Sequence, residues 1–267
     1  MFKHLLFGLF PYYWTKLFCP QSEYTHYYRY IMKYGYSRHL FEFRHEYKNI
    51  EINLHYDQTK GLYYIMTEGK RLYFKKDMKP EKITNLYKEL IIEQDKRSAH
   101  HYFDNTVEEI KGKTFLDVGG AEGLISLFVI EAASHIYIFE SDPSWIEALN
   151  ATFQPWKEKV TIVNKLIGKE TKDDWLTLDD FFNDKSSDNL FLKMDIEGSE
   201  QDALKGARQL FLNGKQLSFA ICTYHEEDDG KEICSILDDY KCTYTHQKGF
   251  FRKKIRSVVV RGNNNQM

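Results

Sequence analysis

From residue 113 onward, short apolar runs alternate with segments whose apolar residues recur every three to four positions. The pattern predicts strands over 114–118, 135–139, 160–167, 190–194 and 217–223, and helices over 124–133, 144–153, 178–182 and 200–212. Strands that take turns with helices imply right-handed crossovers and a parallel sheet covered on both faces. The end of the chain breaks this rhythm. Stretches 242–246 and 256–261 read as a closing antiparallel hairpin, and 263–267 as a frayed end. Before residue 110 the pattern differs again: 49–56, 62–67 and 70–75 are strand-like, with a Glu68-Gly69 turn signal between the last two. They predict a small antiparallel sheet. Pro80 then opens a helix over 81–94, with Ile83, Leu86, Tyr87, Leu90 and Ile91 on one face.

Composition sharpens the division. Of 267 residues, 42% are hydrophobic and 28% charged, enough for a sizeable core and too apolar for wholesale disorder. The net charge of −2 does not suit a dedicated nucleic-acid binder. Residues 1–110 carry +3 and 15 of the 19 tyrosines, whereas 111–267 carry −5. We therefore expect a smaller α+β region over 1–110 and an α/β domain over 111–267. The tyrosines suit either core packing or a lid over a sugar-like ligand. Cys19, Cys222, Cys234 and Cys242 are scattered, which argues against a zinc module or disulfide framework and for a reducing, cytoplasmic setting. The N-terminal stretch MFKHLLFGLFPYYWTKLF is interrupted by Pro11 and falls short of the roughly 20 apolar residues of a spanning helix. It reads as a helix docked on the domain, or as an aromatic helix on the inner membrane surface. Lys248, Arg252, Lys253, Lys254 and Arg256 form a basic run without a sequence-adjacent acid. That run suits a guarded sheet edge, or contact with a phosphate-bearing acceptor or anionic membrane.

The most informative stretch is Phe115-Leu-Asp-Val-Gly-Gly-Ala-Glu-Gly123, placed between a buried strand and a helix. Gly119 and Gly120 permit a sharp turn where a side chain would block a ligand, and Gly123 permits close approach as the helix begins. Ligands of open parallel sheets sit beyond the C-terminal strand ends, where this turn falls. Glu140 ends the next strand, and a carboxylate there can accept both hydroxyls of a ribose. A dinucleotide site would show GxGxxG; here the order is Asp-x-Gly-Gly-x-x-Gly, with Asp117 positioned to repel phosphate. A ribose, an amine and a sulfonium without any phosphate describe S-adenosylmethionine, and the combination favours that cofactor.

A second acidic motif, Phe191-Leu-Lys-Met-Asp-Ile-Glu-Gly-Ser-Glu200, puts Asp195 and Glu197 at a strand end, with Glu200 in the first turn of a helix. Such acids can cap the helix, take a hydroxyl proton, or hold a hydrated divalent cation such as magnesium through Asp195 and Glu197. His225 ends the following strand, ahead of an acidic loop over 226–229. A histidine of ordinary pKa, about 6.5, suits proton removal near neutrality.

Together LDVGGAEG at 116–123 and FLKMDIEGSE at 191–200 resemble the FkbM-type methyltransferases, with FES at 139–141, LTLDDFF at 176–182 and KGARQL at 205–210 in the expected order. The similarity spans roughly 113–225, and the segment EQDKRSAHHY at 93–102 resembles the approach sequence of some members, setting His100, His101 and Tyr102 just before the domain. The resemblance implies a Rossmann-like, doubly wound, mostly parallel seven-strand sheet with a C-terminal antiparallel hairpin. It also implies S-adenosylmethionine-dependent O-methylation of a sugar or polyketide hydroxyl, and we expect a saccharide or glycan precursor as the acceptor. Carried onto this sequence, the cofactor would meet Asp117, Gly119, Gly120, Ala121, Glu122, Gly123, Glu140 and Ser141, with Asp142 and Asn164 near the adenosine. Asp195, His225 and Glu197 are the catalytic candidates. The loop departs from the family at Gly120-Ala121, where Ala-Asn is usual, and at Glu122, where an apolar residue is common. Two other readings stand beside this one: an NAD(P)-dependent sugar-modifying oxidoreductase, disfavoured by the missing GxGxxG, and a catalytically silent nucleotide- or glycan-binding module.

Overall fold

The structure is a computed structural model that describes residues 8–37, 40–186, 188–214 and 216–265. The first seven residues of the aromatic N-terminal stretch and the last two of the chain fall outside the described residues. Two helices come first, α1 (Phe10–Phe18) and α2 (Tyr24–Tyr34), packed on each other. Strands β1 (Leu54–Asp57), β2 (Leu62–Thr67) and β3 (Lys70–Tyr73) then form an antiparallel sheet in that order. Helix α3 (Pro80–Glu93) follows, with proline at its first turn as the sequence predicts.

After the short α4 (Thr106–Ile110) the chain enters the larger sheet through β4 (Thr114–Val118), α5 (Leu124–Val129), β5 (His135–Phe139), α6 (Ile146–Phe153) and β6 (Val160–Val163). Strands β7 (Leu166–Ile167) and β8 (Trp175–Leu176) pair separately, before α7 (Leu178–Phe181). The chain returns through β9 (Leu190–Met194), α8 (Glu200–Lys205), α9 (Arg208–Asn213), β10 (Leu217–Cys222) and α10 (Asp229–Asp239). It closes with β11 (Thr243–Phe251) and β12 (Lys254–Asn263). The seven strands lie in the order β11-β12-β10-β9-β4-β5-β6, parallel from β10 to β6 and antiparallel at β12 and β11. This is the expected Rossmann-like arrangement. The chain leaves β4 toward β5 on one side and comes back to β9 on the other, so a crevice opens where the order reverses.

Alternation along β4 sends Phe115 to one face of the sheet and Leu116 and Val118 to the other. The face of Phe115 is continuous with the N-terminal sheet: Leu62, Leu72 and Phe74 share its buried cluster with Leu124 and Ile138. The Thr152 hydroxyl of α6 also accepts from the Tyr73 amide at 3.0 Å, tying β3 to the larger domain. The opposite face gathers Leu192, Met194, Leu204, Ile233 and Leu237.

Several expectations need correction. The run 160–167 is two strands, because Asn164 turns its amide back to donate to the carbonyls of Glu140 (2.7 Å) and Ser141 (3.1 Å). The helix over 200–212 breaks at Gly206, where the backbone passes so near Gly168 that a Cβ would stand 2.0 Å from its carbonyl oxygen. What read as an acidic loop over 226–229 leads directly into α10, whose Ile233 and Leu237 are buried. Asp229 at its start is also buried and accepts from the Glu226 amide and the Gln201 side chain. The hairpin is longer than expected, with Arg252 and Lys253 at its tip, both at positive φ. Its basic run meets acid through the tertiary fold, Lys254 pairing with Glu227. Nor does the chain fray at 263: Asn264 is buried, accepts from the Leu217 amide at 3.1 Å and donates to the carbonyls of Phe211 (3.1 Å) and Gly214 (2.7 Å).

Replacing Asn264 by alanine strands one amide and two carbonyls in the core. Asn264→Ala is therefore expected to lose about 1–3 kcal/mol of stability in urea denaturation, with an unchanged m-value.

Candidate active site

The glycine turn after β4 is shaped by the strand beside it. At Gly119, φ is +86° and a Cβ would stand 1.8 Å from the Asp195 carbonyl oxygen, so no other residue fits. At Gly120 a Cβ would meet the Ile138 side chain at 2.3 Å. Ala121 also takes a positive φ of 44°, and its amide donates to Glu140 Oε2 at 2.7 Å. The other oxygen, Oε1, accepts from the Asp142 amide at 2.7 Å. The carboxylate at the tip of β5 is thus held from two sides, while each oxygen keeps a lone pair free. Gly123, with φ of +83°, starts α5, and its missing Cβ makes room for Phe153 and Leu149.

Under this loop, Asp117 and Lys193 face each other on neighbouring strands, Lys193 Nζ 3.0 Å from Asp117 Oδ1. Ser126 donates to the other Asp117 oxygen at 2.6 Å, and Lys193 donates to the Gly119 carbonyl. Burial by itself would lower the Lys193 pKa, but Asp117 and Asp195 outweigh it and hold the ammonium above its ordinary value.

Above the turn lies a cavity of about 420 Å³, a size suited to a small molecule. Gly119, Gly120, Ala121 and Glu122 form its floor, and Glu140, Ser141, Lys193, Asp195 and Glu197 its sides. Leu86, Glu89, Leu90 and Glu93 of α3 face it, joined by Tyr102, Trp145 and Tyr224. Glu122 is buried, and that burial pushes its pKa up to about 7 despite the backbone amides and Lys193.

Asp195 sits at the centre of the charged side. The Tyr102 hydroxyl donates to its Oδ2 at 2.8 Å, and His225 Nε2 lies 3.2 Å from its Oδ1. The other ring nitrogen of His225 is 2.9 Å from Glu200 Oε1. Burial works against ionising Asp195, yet His225, Lys193 and Tyr102 prevail and hold it well below the usual carboxylate range. Burial would likewise lower His225, but Asp195 and Glu200 push it up to about 10. His225 therefore carries its proton at neutral pH, in contrast to the ordinary pKa on which the expectation of a base rests. Glu197 is 84% exposed and lies 3.6 Å from His225 Nε2.

As a metal centre, the pair Asp195 and Glu197 is replaced by a closer trio, Asp195, Glu200 and His225, whose ligand atoms lie within 4.8 Å of one another. The trio fits a resident divalent cation poorly. The His225 ring lies between the two carboxylates, 3.2 Å from Asp195 Oδ1 and 2.9 Å from Glu200 Oε1, and that Glu200 oxygen also accepts from the Ile196 amide at 2.8 Å.

The profile described as the methyltransferase FkbM domain matches residues 23–245 of this chain. The chain belongs to that family. No curated protein matches it significantly. Among solved structures, an FkbM methyltransferase from Methylobacillus flagellatus is similar at 23% identity and a TM-score of 0.45, over 57% of this chain and 43% of the other. The chain thus spans under half the length of that protein. The N-methyltransferase NodS from Bradyrhizobium japonicum, in complex with S-adenosyl-L-homocysteine, is similar at 10% identity and a TM-score of 0.42, over 71% of this chain and 90% of NodS. Trm5b from Pyrococcus abyssi is similar at 13% identity and a TM-score of 0.43, over 81% and 56%.

Of the residues that the FkbM resemblance points to, Gly119, Gly120, Ala121, Glu122, Glu140, Ser141, Asp195 and Glu197 line the cavity. Asp117, Gly123, Asp142 and Asn164 act behind it. Asp117 neutralises Lys193, Gly123 packs on α6, and Asp142 caps the turn over Pro143–Trp145 while meeting Lys75 at 3.0 Å. Asn164 ties β6 to the end of β5. Lys193 was not among the expected residues, although a lone lysine in an otherwise apolar five-residue strand is a legible sign of a buried partner. Tyr102 was placed at the domain entrance without a role, and its bond to Asp195 crosses 93 residues of chain.

The folded protein keeps the His225 proton to about pH 10, whereas the unfolded chain releases it near pH 6.5. This contribution to stability is complete below about pH 6.5 and drains away as the pH rises toward 10. Urea denaturation between pH 6 and 10 should show that decline in the wild type and a flatter profile in His225→Gln.

Proposed function

We propose that this FkbM-family chain transfers the methyl group of S-adenosylmethionine to a hydroxyl of a saccharide or glycan precursor. The observation that carries the reading is the Glu140 carboxylate, fixed by two backbone amides at the tip of β5 and facing the cavity across a turn with no room for side chains. Its free lone pairs suit the two hydroxyls of a ribose. Asp195 adds negative charge for a cationic ligand, while the lysine in the cavity wall is already matched to Asp117. The cofactor supplies a methyl group on a sulfonium whose sulfur leaves with the bonding electron pair as a neutral thioether.

The chain's own task is to align the acceptor oxygen and take its proton. Alignment can contribute up to roughly 7–11 kcal/mol. Asp195 lines the cavity at the end of β9 and is the carboxylate this reading assigns to the acceptor. Its low basicity is no obstacle, because a hydroxyl oxygen that gains a third bond becomes far more acidic than a carboxylic acid. The proton passes to Asp195 as the new bond forms. Tyr102 and the protonated His225 hold the carboxylate in place from opposite sides. Tyr102, Trp145 and Tyr224 offer aromatic faces, and Glu93 and Gln94 offer polar groups, which together suit the faces and hydroxyls of a sugar.

Titration calorimetry with S-adenosylhomocysteine should show at least a tenfold (about 1.4 kcal/mol) weaker affinity in Glu140→Ala. An affinity equal to that of the wild type removes Glu140 from the cofactor site.

Asp195→Asn preserves the shape of the side chain and abolishes its charge. Labelled-methyl transfer into a saccharide panel should fall about a hundredfold, with S-adenosylhomocysteine affinity changing far less. Undiminished transfer excludes Asp195 as the proton acceptor.

A further inference from the structure

Helix α1 presents an apolar face that none of the described residues covers. Phe10, Leu17 and Phe18 are each about two-thirds exposed, and Tyr13 and Trp14 about half. With Leu9 they fall at positions 9, 10, 13, 14, 17 and 18, one continuous side of a helix. Along its centre Phe10, Trp14 and Phe18 stack in sequence, with ring centroids 6.0 and 4.7 Å apart. The opposite side is the docked one, where Thr15 is buried and turns its hydroxyl back to the Pro11 carbonyl at 2.9 Å. So large a contiguous apolar patch marks an interaction surface.

Basic side chains on the helical pair and on the hairpin packed against it fit an anionic partner. Lys16 and Lys33 are carried by α1 and its neighbour α2, and α2 in turn packs on the hairpin tip through Tyr27 and Phe250, 5.0 Å apart. The Ile255 amide donates to the Tyr24 hydroxyl at 3.2 Å, so the tip bearing Arg252 and Lys253 is fastened to the same helical pair. Aromatic side chains with basic neighbours are the composition of a helix lying at the boundary of an anionic bilayer. Among the described residues no helix is long and apolar enough to cross a membrane. We infer that α1 docks the protein peripherally on an anionic lipid surface, with Phe10, Trp14, Leu17 and Phe18 entering the headgroup boundary and the basic tip attracted to it. This surface stands apart from the cavity and does not depend on the methyl-transfer reading.

Flotation of the full chain with vesicles of phosphatidylglycerol and phosphatidylcholine tests the inference, with pure phosphatidylcholine as the neutral control. The wild type should float with the anionic vesicles, less so in high salt. Trp14→Glu combined with Phe18→Glu should lower that partition at least tenfold, and Arg252→Glu combined with Lys253→Glu should lower it while removing the preference for anionic lipid. Both double variants should retain wild-type S-adenosylhomocysteine affinity or, if the cofactor reading fails, the wild-type melting temperature. Absence of wild-type binding to any vesicle overturns the inference, as does equal flotation of the Trp14/Phe18 variant. A wild-type dimer that this variant dissociates, without vesicle binding, assigns the face to a second copy of the chain and overturns it equally.

Discussion

The ion pair between Asp117 and Lys193 is the constraint on which the site depends. It joins β4 to β9 at the point where the sheet order reverses, with neither charge open to water. Such a pair adds little net stability, but losing either partner leaves a buried charge that costs about 3–5 kcal/mol. The pair therefore acts less as a brace than as a register pin. Lys193 also donates to the Gly119 carbonyl, and the Asp195 carbonyl fills the space that a side chain at 119 would need. The glycine turn and the second acidic motif are, in effect, one object, held together by a lysine from one and an aspartate from the other.

That coupling sets the electrostatics of the cavity. Lys193 and His225 keep Asp195 ionised inside the fold, and Asp195 in return keeps both of them protonated. Glu200 completes the arrangement beneath His225, its own oxygens used by the turn amides at 196 and 198. The result is a carboxylate of fixed charge and direction on the strand side of the cavity that Glu140 also lines. Membership of the FkbM methyltransferase family is compatible with this geometry, because methyl transfer depends on the alignment of donor and acceptor.

The wall facing the glycine turn comes from α3 and from the segment leading to Tyr102, rather than from the tyrosine-rich strands and helices as a whole. Of the N-terminal tyrosines, only Tyr102 is among the cavity-lining residues described. Tyr24, Tyr27 and Tyr28 instead pack around Phe250, and Tyr63, Tyr64 and Tyr73 lie on the small sheet. Composition alone could not separate these uses, since a tyrosine that stacks in a core and one that borders a ligand have the same residue type and neighbours.

By itself the sequence determined the alternating strands and helices, the closing hairpin, the glycine turn and the two acidic strand ends, because each is written in local periodicity or in backbone needs that only glycine meets. It did not reveal α10, which starts at an aspartate and whose two buried apolar positions, Ile233 and Leu237, acquire meaning only against the sheet. It did not show that Asn264 belongs to the core, since its three partners are 47 to 53 residues away. Above all it left His225 looking like a base. Charge state is a property of surroundings, and the two carboxylates that reverse it arrive from β9 and α8 only when the sheet is assembled.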